Sequence, residues 1–151
     1  MLYVECYADE LLAQVLGVPR REVRHECGKG NIFRRLRQLE AGKGLVDEDP
    51  SACQPAEWLQ YRVVAQQGSV TLRQHVRAEA RQVIVLSPRL EEWLYERAEA
   101  CQIRPEAYGL PRSAEMLKKF PRYESKPAFR KFLEDLYIAD AEVQWVSTWI
   151  R

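Results

Sequence analysis

The sequence predicts an α/β fold in which a mostly parallel sheet is flanked by helices and followed by a helical C-terminal extension. Three observations carry this expectation. Short apolar strand patterns alternate with amphipathic helix patterns over the first fifty or so residues, the order expected of parallel strands joined by right-handed crossovers. Gln82-Val83-Ile84-Val85-Leu86 is an apolar, β-branched run of the kind that fills the centre of a parallel sheet. Beyond Gly109-Leu110-Pro111 only helical periodicities remain. The 151 residues are read as one domain, with a core over about 1–108 and the extension over about 109–151.

Each element has its own signal. Leu2 to Cys6 is a short apolar run broken by one carboxylate, Glu5, and reads as a buried strand. Asp9 to Val18 places Leu11, Leu12, Val15 and Leu16 on one helical face, ended by Gly17 and Pro19. Val23 to Cys27 is a second, more polar strand. Gly28-Lys29-Gly30-Asn31 then turns into a helix with Ile32, Phe33, Leu36 and Leu39 inward and Arg34, Arg35 and Arg37 on its other face. Gly42 and Gly44 are expected to stop that helix, and Leu45-Val46 to form a short strand running into Asp47-Glu48-Asp49-Pro50. Pro55 to Tyr61 reads as a short helix, with strands at Arg62–Ala65 and Thr71–Val76.

Ser87-Pro88 ends the strongest strand and opens a helix bearing Leu90, Trp93, Leu94, Ala98 and Cys101. Ser113 is the expected cap of a helix with Met116, Leu117 and Phe120 inward, and Pro127 starts another with Phe129, Phe132, Leu133 and Leu136. The last segment carries Val143, Trp145, Val146, Trp149 and Ile150; the two tryptophans, four apart, read as core or dimer contacts, so a homodimer stays open.

Composition removes some function classes. Acidic and basic residues nearly cancel, for a net charge of +1, so only local charge argues for a nucleic-acid partner. Cys6, Cys27, Cys53 and Cys101 lack zinc-ligand spacing and are expected to be structural thiols. The first residues show no leader pattern, and no apolar run approaches the roughly 20 residues that cross a bilayer. The expectation is a cytoplasmic protein with no membrane association.

Ligands of open parallel sheets collect outside the carboxyl ends of the strands. There the sequence puts Glu5, then Asp47 and Asp49, which aim to the same side if the segment is extended, then Ser87 with Glu91 just beyond. Crowded carboxylates repel one another unless a cation neutralises them, and hard oxygen donors suit magnesium or manganese. Asp-Glu-Asp-Pro is equally a plausible exposed turn. Gly28, Lys29, Gly30 and Asn31 sit at a strand-to-helix turn that suits a phosphate; the plainer reading is a tight turn with Asn31 as helix cap. Two arginine- and lysine-rich stretches, around Arg20–Arg37 and Lys118–Lys131, are either phosphate-tracking stripes or solvated helix faces.

Val4-Glu5 after the first strand and Asp47-Glu48-Asp49 after the third resemble the TOPRIM fold of topoisomerases, primases and overcoming-lysogenization-defect nucleases. Ser87-Pro88-Arg89-Leu90-Glu91-Glu92-Trp93-Leu94 is similar to a strand-to-helix motif of small TOPRIM-like proteins of phage-defence loci, with Glu91 at the acidic position as an accessory residue. Where that family typically follows its Glu with Gly, this chain has Cys6. The resemblance spans about two-thirds of the chain and implies a TOPRIM/Rossmann-like sheet and metal-dependent phosphoryl transfer on DNA or RNA. Asp47 and Asp49 would hold Mg2+ or Mn2+, and Glu5 would be general acid–base or a further ligand. A non-enzymatic binding or assembly subunit, working beside a partner ATPase or nuclease, is the alternative. A receiver-like or small-molecule phosphohydrolase domain is a third class, but no Lys follows at a later strand end as a receiver would want.

Overall fold

The computed structural model describes all residues, 1–151. Its six strands are β1 (Leu2–Val4), β2 (Val23–His25), β3 (Gly42–Asp47), β4 (Tyr61–Gln67), β5 (Val70–His75) and β6 (Arg81–Leu86). The helices are α1 (Tyr7–Val15), α2 (Lys29–Arg37), α3 (Leu90–Ala100), α4 (Ala114–Lys119), α5 (Pro127–Ala139) and α6 (Ala141–Ile150), with short 3-10 turns between some of them. One sheet holds all strands in the order β2-β1-β3-β6-β5-β4.

The expected parallel sheet is present in β2, β1, β3 and β6, which all pair in parallel. It gives way to antiparallel pairing at β5 and β4. The cause is local: β4 and β5 are joined only by Gly68 and Ser69, and a parallel pair needs a far longer crossover. Gly68 takes φ +58 to close that hairpin. The sheet is therefore mixed, within the α/β class.

Strand alternation sorts side chains to two faces. Leu2, Val4, Leu45, Ile84 and Leu86 face α1, α3, α5 and α6 in a core of 27 buried residues. Tyr3, Val46, Val83 and Val85 face α2 in a core of only 8, so most apolar burial lies on the α1/α3 side. On the thin face the helix must lie close to the sheet. A Cβ on Gly44 would sit 2.9 Å from Ile32 Cγ2, and one on Gly42 2.8 Å from Leu36 Cδ2. These glycines are strand residues that admit α2, rather than the helix stops expected from sequence, and β3 is correspondingly longer than Leu45-Val46.

Two of the C-terminal helices start where expected: Ser113 Oγ accepts from Met116 N at 3.2 Å and Pro127 opens α5. The third is capped by Asp140, whose Oδ1 accepts from Val143 N at 2.9 Å. Met116, expected inward, is exposed, because the one-and-a-half-turn α4 buries only Leu117. Trp145 and Trp149 pack partly buried against the larger core. Buried Glu142 ties the extension to the sheet: its Oε2 accepts from Trp93 Nε1 at 2.5 Å and Ser69 Oγ at 3.2 Å, with Arg97 Nε 3.4 Å away. Any Cβ on Gly68 would lie 1.6 Å from Glu142 Oε1, so the hairpin turn requires glycine on both steric and backbone grounds. No helix is long and apolar enough to cross a membrane.

Candidate functional site at the carboxyl ends of β1 and β3

The chain leaves β1 through α1 to β2 on one side, while β3 pairs with β1 on the other. The loops after β1 and β3 therefore diverge, and the crevice between them is a topological switch point, where open α/β sheets place ligands. Register aligns Val4 with Leu45, so Glu5, one residue past β1, meets the end of β3. Asp47 N donates to Glu5 Oε1 at 2.8 Å. Burial raises the Glu5 carboxyl above its usual pKa, against the lowering effect of that bond and of the Lys29 charge.

Asp47 shares the parity of Leu45 and turns toward α1 and α3. Its Oδ1 accepts from Leu90 N, at the start of α3, at 3.0 Å. Helix-end N–H groups favour a carboxylate, but burial and the charges of Asp9, Glu5 and Glu91 outweigh that bond and push Asp47 up to about 8. Asp9, only 3% exposed, accepts from the Cys6 N–H at 3.2 Å and the Cys6 thiol at 3.3 Å. Burial, helped by Glu5 and Glu91, nevertheless pushes Asp9 up to about 7. Glu91 Oε1 accepts from Tyr123 OH at 3.0 Å. Burial, with nearby carboxylates, raises the Cys6 thiol and the Tyr123 phenol above their usual values.

A cleft of about 540 Å³ opens in front of this group, lined among others by Glu5, Asp49, Lys29, Gly30, Arg34 and Gln54. Lys29 Nζ donates to Glu48 O at 2.7 Å and to Gln54 Oε1 at 2.9 Å. Burial lowers its pKa, opposed by the Glu5, Asp49, Asp47 and Glu48 carboxylates. Asp49 Oδ1 pairs with Arg89 Nη2 at 2.7 Å, and the same nitrogen donates to Ser51 Oγ at 2.8 Å.

The expected residues thus divide. Glu5, Asp47 and Glu91 act on one another electrostatically, while Glu5, Asp49, Lys29 and Gly30 share the cleft. Asp47 and Asp49 do not aim together as an extended segment requires, because β3 ends at Asp47 and Asp49 adopts φ +48. That left-handed residue reverses the alternation and carries Asp49 to Arg89. Ser87 Oγ donates to the Glu48 carboxylate instead of meeting the aspartates.

In the glycine turn the cap is Gly28, at φ +127, and not Asn31. Asn31 lies inside the first turn, and its Nδ2 donates to Glu26 O at 2.9 Å. Cys27 and Cys53 lie at exposed loop positions rather than in the core, and Cys6, also on a loop, keeps residue surface open while its thiol turns inward onto Asp9, since the strands end before them. Sequence reasoning missed Asp9, Gln54, Arg89 and Tyr123. Asp9 had a signal: an acidic side chain three residues after the residue that precedes a helix, able to bond back to that residue's N–H. The other three reach the site through loop geometry.

The donor chemistry of the site is hard carboxylate oxygen. No three His, Cys, Asp or Glu side chains are grouped as a cation cage. At most one or two of these carboxylates could touch a hydrated cation, whose remaining shell would have to be water. Compared with family models, with curated proteins and with solved structures, the chain finds no match.

Proposed function

We propose that the crevice between β1 and β3 is a divalent-cation-assisted phosphoryl-transfer site for nucleic-acid phosphodiesters, in the manner of a small TOPRIM-like nuclease domain. The observation that carries this reading is the convergence of Glu5 and Asp47 at the switch point, with Asp9 and Glu91 behind them and Asp49 and Lys29 across the cleft. Glu5 and Asp49 would touch the ion from the cleft side, with Asp47 adding its charge from behind Glu5. When bound, such an ion neutralises charge that develops on a transferring phosphate.

The chain's own residues do the rest. Glu5, fixed by the Asp47 N–H and made more basic by burial, is placed to hold or deliver a proton at the cleft. Lys29, braced by Glu48 O and Gln54, presents a fixed positive charge toward a phosphate oxygen. Arg34 adds a second cation at the rim.

One observation favours a second reading, a non-enzymatic binding or assembly subunit. Glu5 fastens β1 to β3 and Asp47 caps α3, so both acids also have structural work. The test is cleavage of labelled single- and double-stranded DNA and RNA with Mg2+ or Mn2+, using wild type, Glu5→Gln and Asp49→Asn. The first reading expects metal-dependent cleavage that falls about 100-fold or more in folded Glu5→Gln, the scale of a lost acid–base group. No cleavage of any of these substrates by folded wild type with either ion would overturn it in favour of the second.

A further inference from the structure

The sheet ends at β4 on an open edge. β4 is the last strand in the order β2-β1-β3-β6-β5-β4 and pairs only with β5. Its backbone N–H and C=O groups on the far side have no strand to pair with, and no loop or turn backbone bond reaches Arg62 to Gln66. Natural edge strands commonly carry lysine, inward-pointing charge or proline, which discourage a further strand. Across Tyr61-Arg62-Val63-Val64-Ala65-Gln66-Gln67 the only charge is Arg62, and there is no proline.

Apolar side chains gather at this edge. Eight large hydrophobic residues of the chain are exposed, and four of them, Leu59, Val63, Val64 and Val76, lie on β4 or next to it. Leu59 belongs to the 3-10 turn Ala56–Gln60 that leads into the strand. Val76 N donates to Gln60 O at 2.9 Å, which brings Val76 to the same end. A β-bulge falls between Val63 and Ala65, so Val64 has no partner on β5 and stands 42% exposed. A bulge is one way to blunt an edge, but this one presents a β-branched apolar residue where a charge would repel.

We infer that β4 is a self-association edge, pairing antiparallel with β4 of a second copy of this chain about a two-fold axis at Val64. That register sets Val64 opposite the partner's Val64 and Arg62 opposite the partner's Gln66, so the single charge of the strand never meets its like. A two-fold interface is isologous, and every contact away from the axis forms twice. With one cation and no acid, β4 has no charge pattern to select a different sequence, which favours its own copy over a foreign extended peptide. β5 and β6 separate β4 from β3, so the crevice at Glu5 stays open in each copy and the inference is independent of the function proposed for it.

The test is sedimentation velocity from micromolar to submillimolar protein. Wild type should dimerise as concentration rises. Met116→Lys, which charges an exposed apolar residue on α4 instead, should dimerise equally. Val64→Lys and Val64→Glu put like charges across the axis and should each weaken the dimer about tenfold or more. An equimolar mixture of those two variants should restore it, because opposite charges then face each other. Gln66→Glu sets a carboxylate opposite Arg62 at two symmetric positions and should tighten the dimer by about threefold. Thermal melting of the Val64 variants at concentrations where all are monomeric should match wild type, since Val64 is exposed and unpaired. Wild type that stays monomeric throughout would overturn the inference. So would folded Val64 variants that dimerise like wild type, a mixture of them that stays monomeric, or Gln66→Glu that is no tighter.

Discussion

Replacing Asp47 with Asn tests the electrostatics of the crevice without emptying it, because Asn Oδ1 can still accept from Leu90 N. In the folded protein, burial and the charges of Asp9, Glu5 and Glu91 raise Asp47 from 3.8 to about 8. A raised carboxyl pKa means that the folded state holds a proton the unfolded state has released. Stability is therefore greatest below about pH 4 for this group and declines as pH rises toward 8. At about 1.4 kcal/mol for each pH unit between those limits, the ceiling is about 6 kcal/mol. Asp9 titrates with it, so Asp47→Asn recovers only part of that ceiling, and each kcal/mol recovered raises the melting temperature by about 2–4 °C for a chain of this size. Thermal melting from pH 4 to 9 without divalent ions should show Asp47→Asn close to wild type at the acid end and more stable at pH 8 and above. A variant that melts at or below wild type at pH 8 would refute this account of the carboxylates.

Other parts of the structure make separate predictions. Glu142→Ala leaves buried Trp93 Nε1 without its acceptor and Arg97 with Asp140 alone, and should cost about 1–3 kcal/mol in urea unfolding, whereas no loss would mean that the knot does not hold the extension. Gly44→Ala puts a methyl 2.9 Å from Ile32 Cγ2 and should destabilise by about 1–3 kcal/mol, with Ile32→Leu, which lacks that β-branch methyl, restoring part of the loss in the same chain. Lys29→Met removes the bonds to Glu48 O and Gln54 and should weaken binding of phosphate-bearing ligands in the cleft, read by titration against wild type. Tyr123→Phe removes the donor to Glu91 and should lower stability by about 1 kcal/mol in urea unfolding, with no change if that hydrogen bond contributes nothing.

The sequence reveals those features whose signals are local. Strand β6 is legible because its apolar, β-branched run has no alternative home, and the cap at Ser113 and the helix start at Pro127 follow from one side chain each. Adjacency of β1 and β3 is not local, yet the acids at both strand ends hinted at it, and Glu5 meets Asp47 as the strand order requires. Glycine is where local reading fails. Gly42 and Gly44 look like breakers but serve close helix–sheet approach, and Gly68 looks like any loop glycine but closes a hairpin over Glu142. Asp49 fails for a related reason: its left-handed φ, which aspartate tolerates but does not require, ends the extended run after Asp47. Arg89 meets Asp49, Gln54 meets Lys29 and Tyr123 meets Glu91 through contacts distant in sequence that no periodicity encodes.

The most direct test of the proposed cation site is isothermal titration of Mn2+ into wild type, Glu5→Gln and Asp49→Asn at pH 7, repeated in two buffers of different ionisation enthalpy. Asp9 and Asp47 retain protons near that pH, so an ion entering beside them should displace a proton. The account predicts saturable binding to wild type with a buffer-dependent enthalpy, weakened in both variants. Equal binding by all three proteins, or no binding to folded wild type, would contradict it.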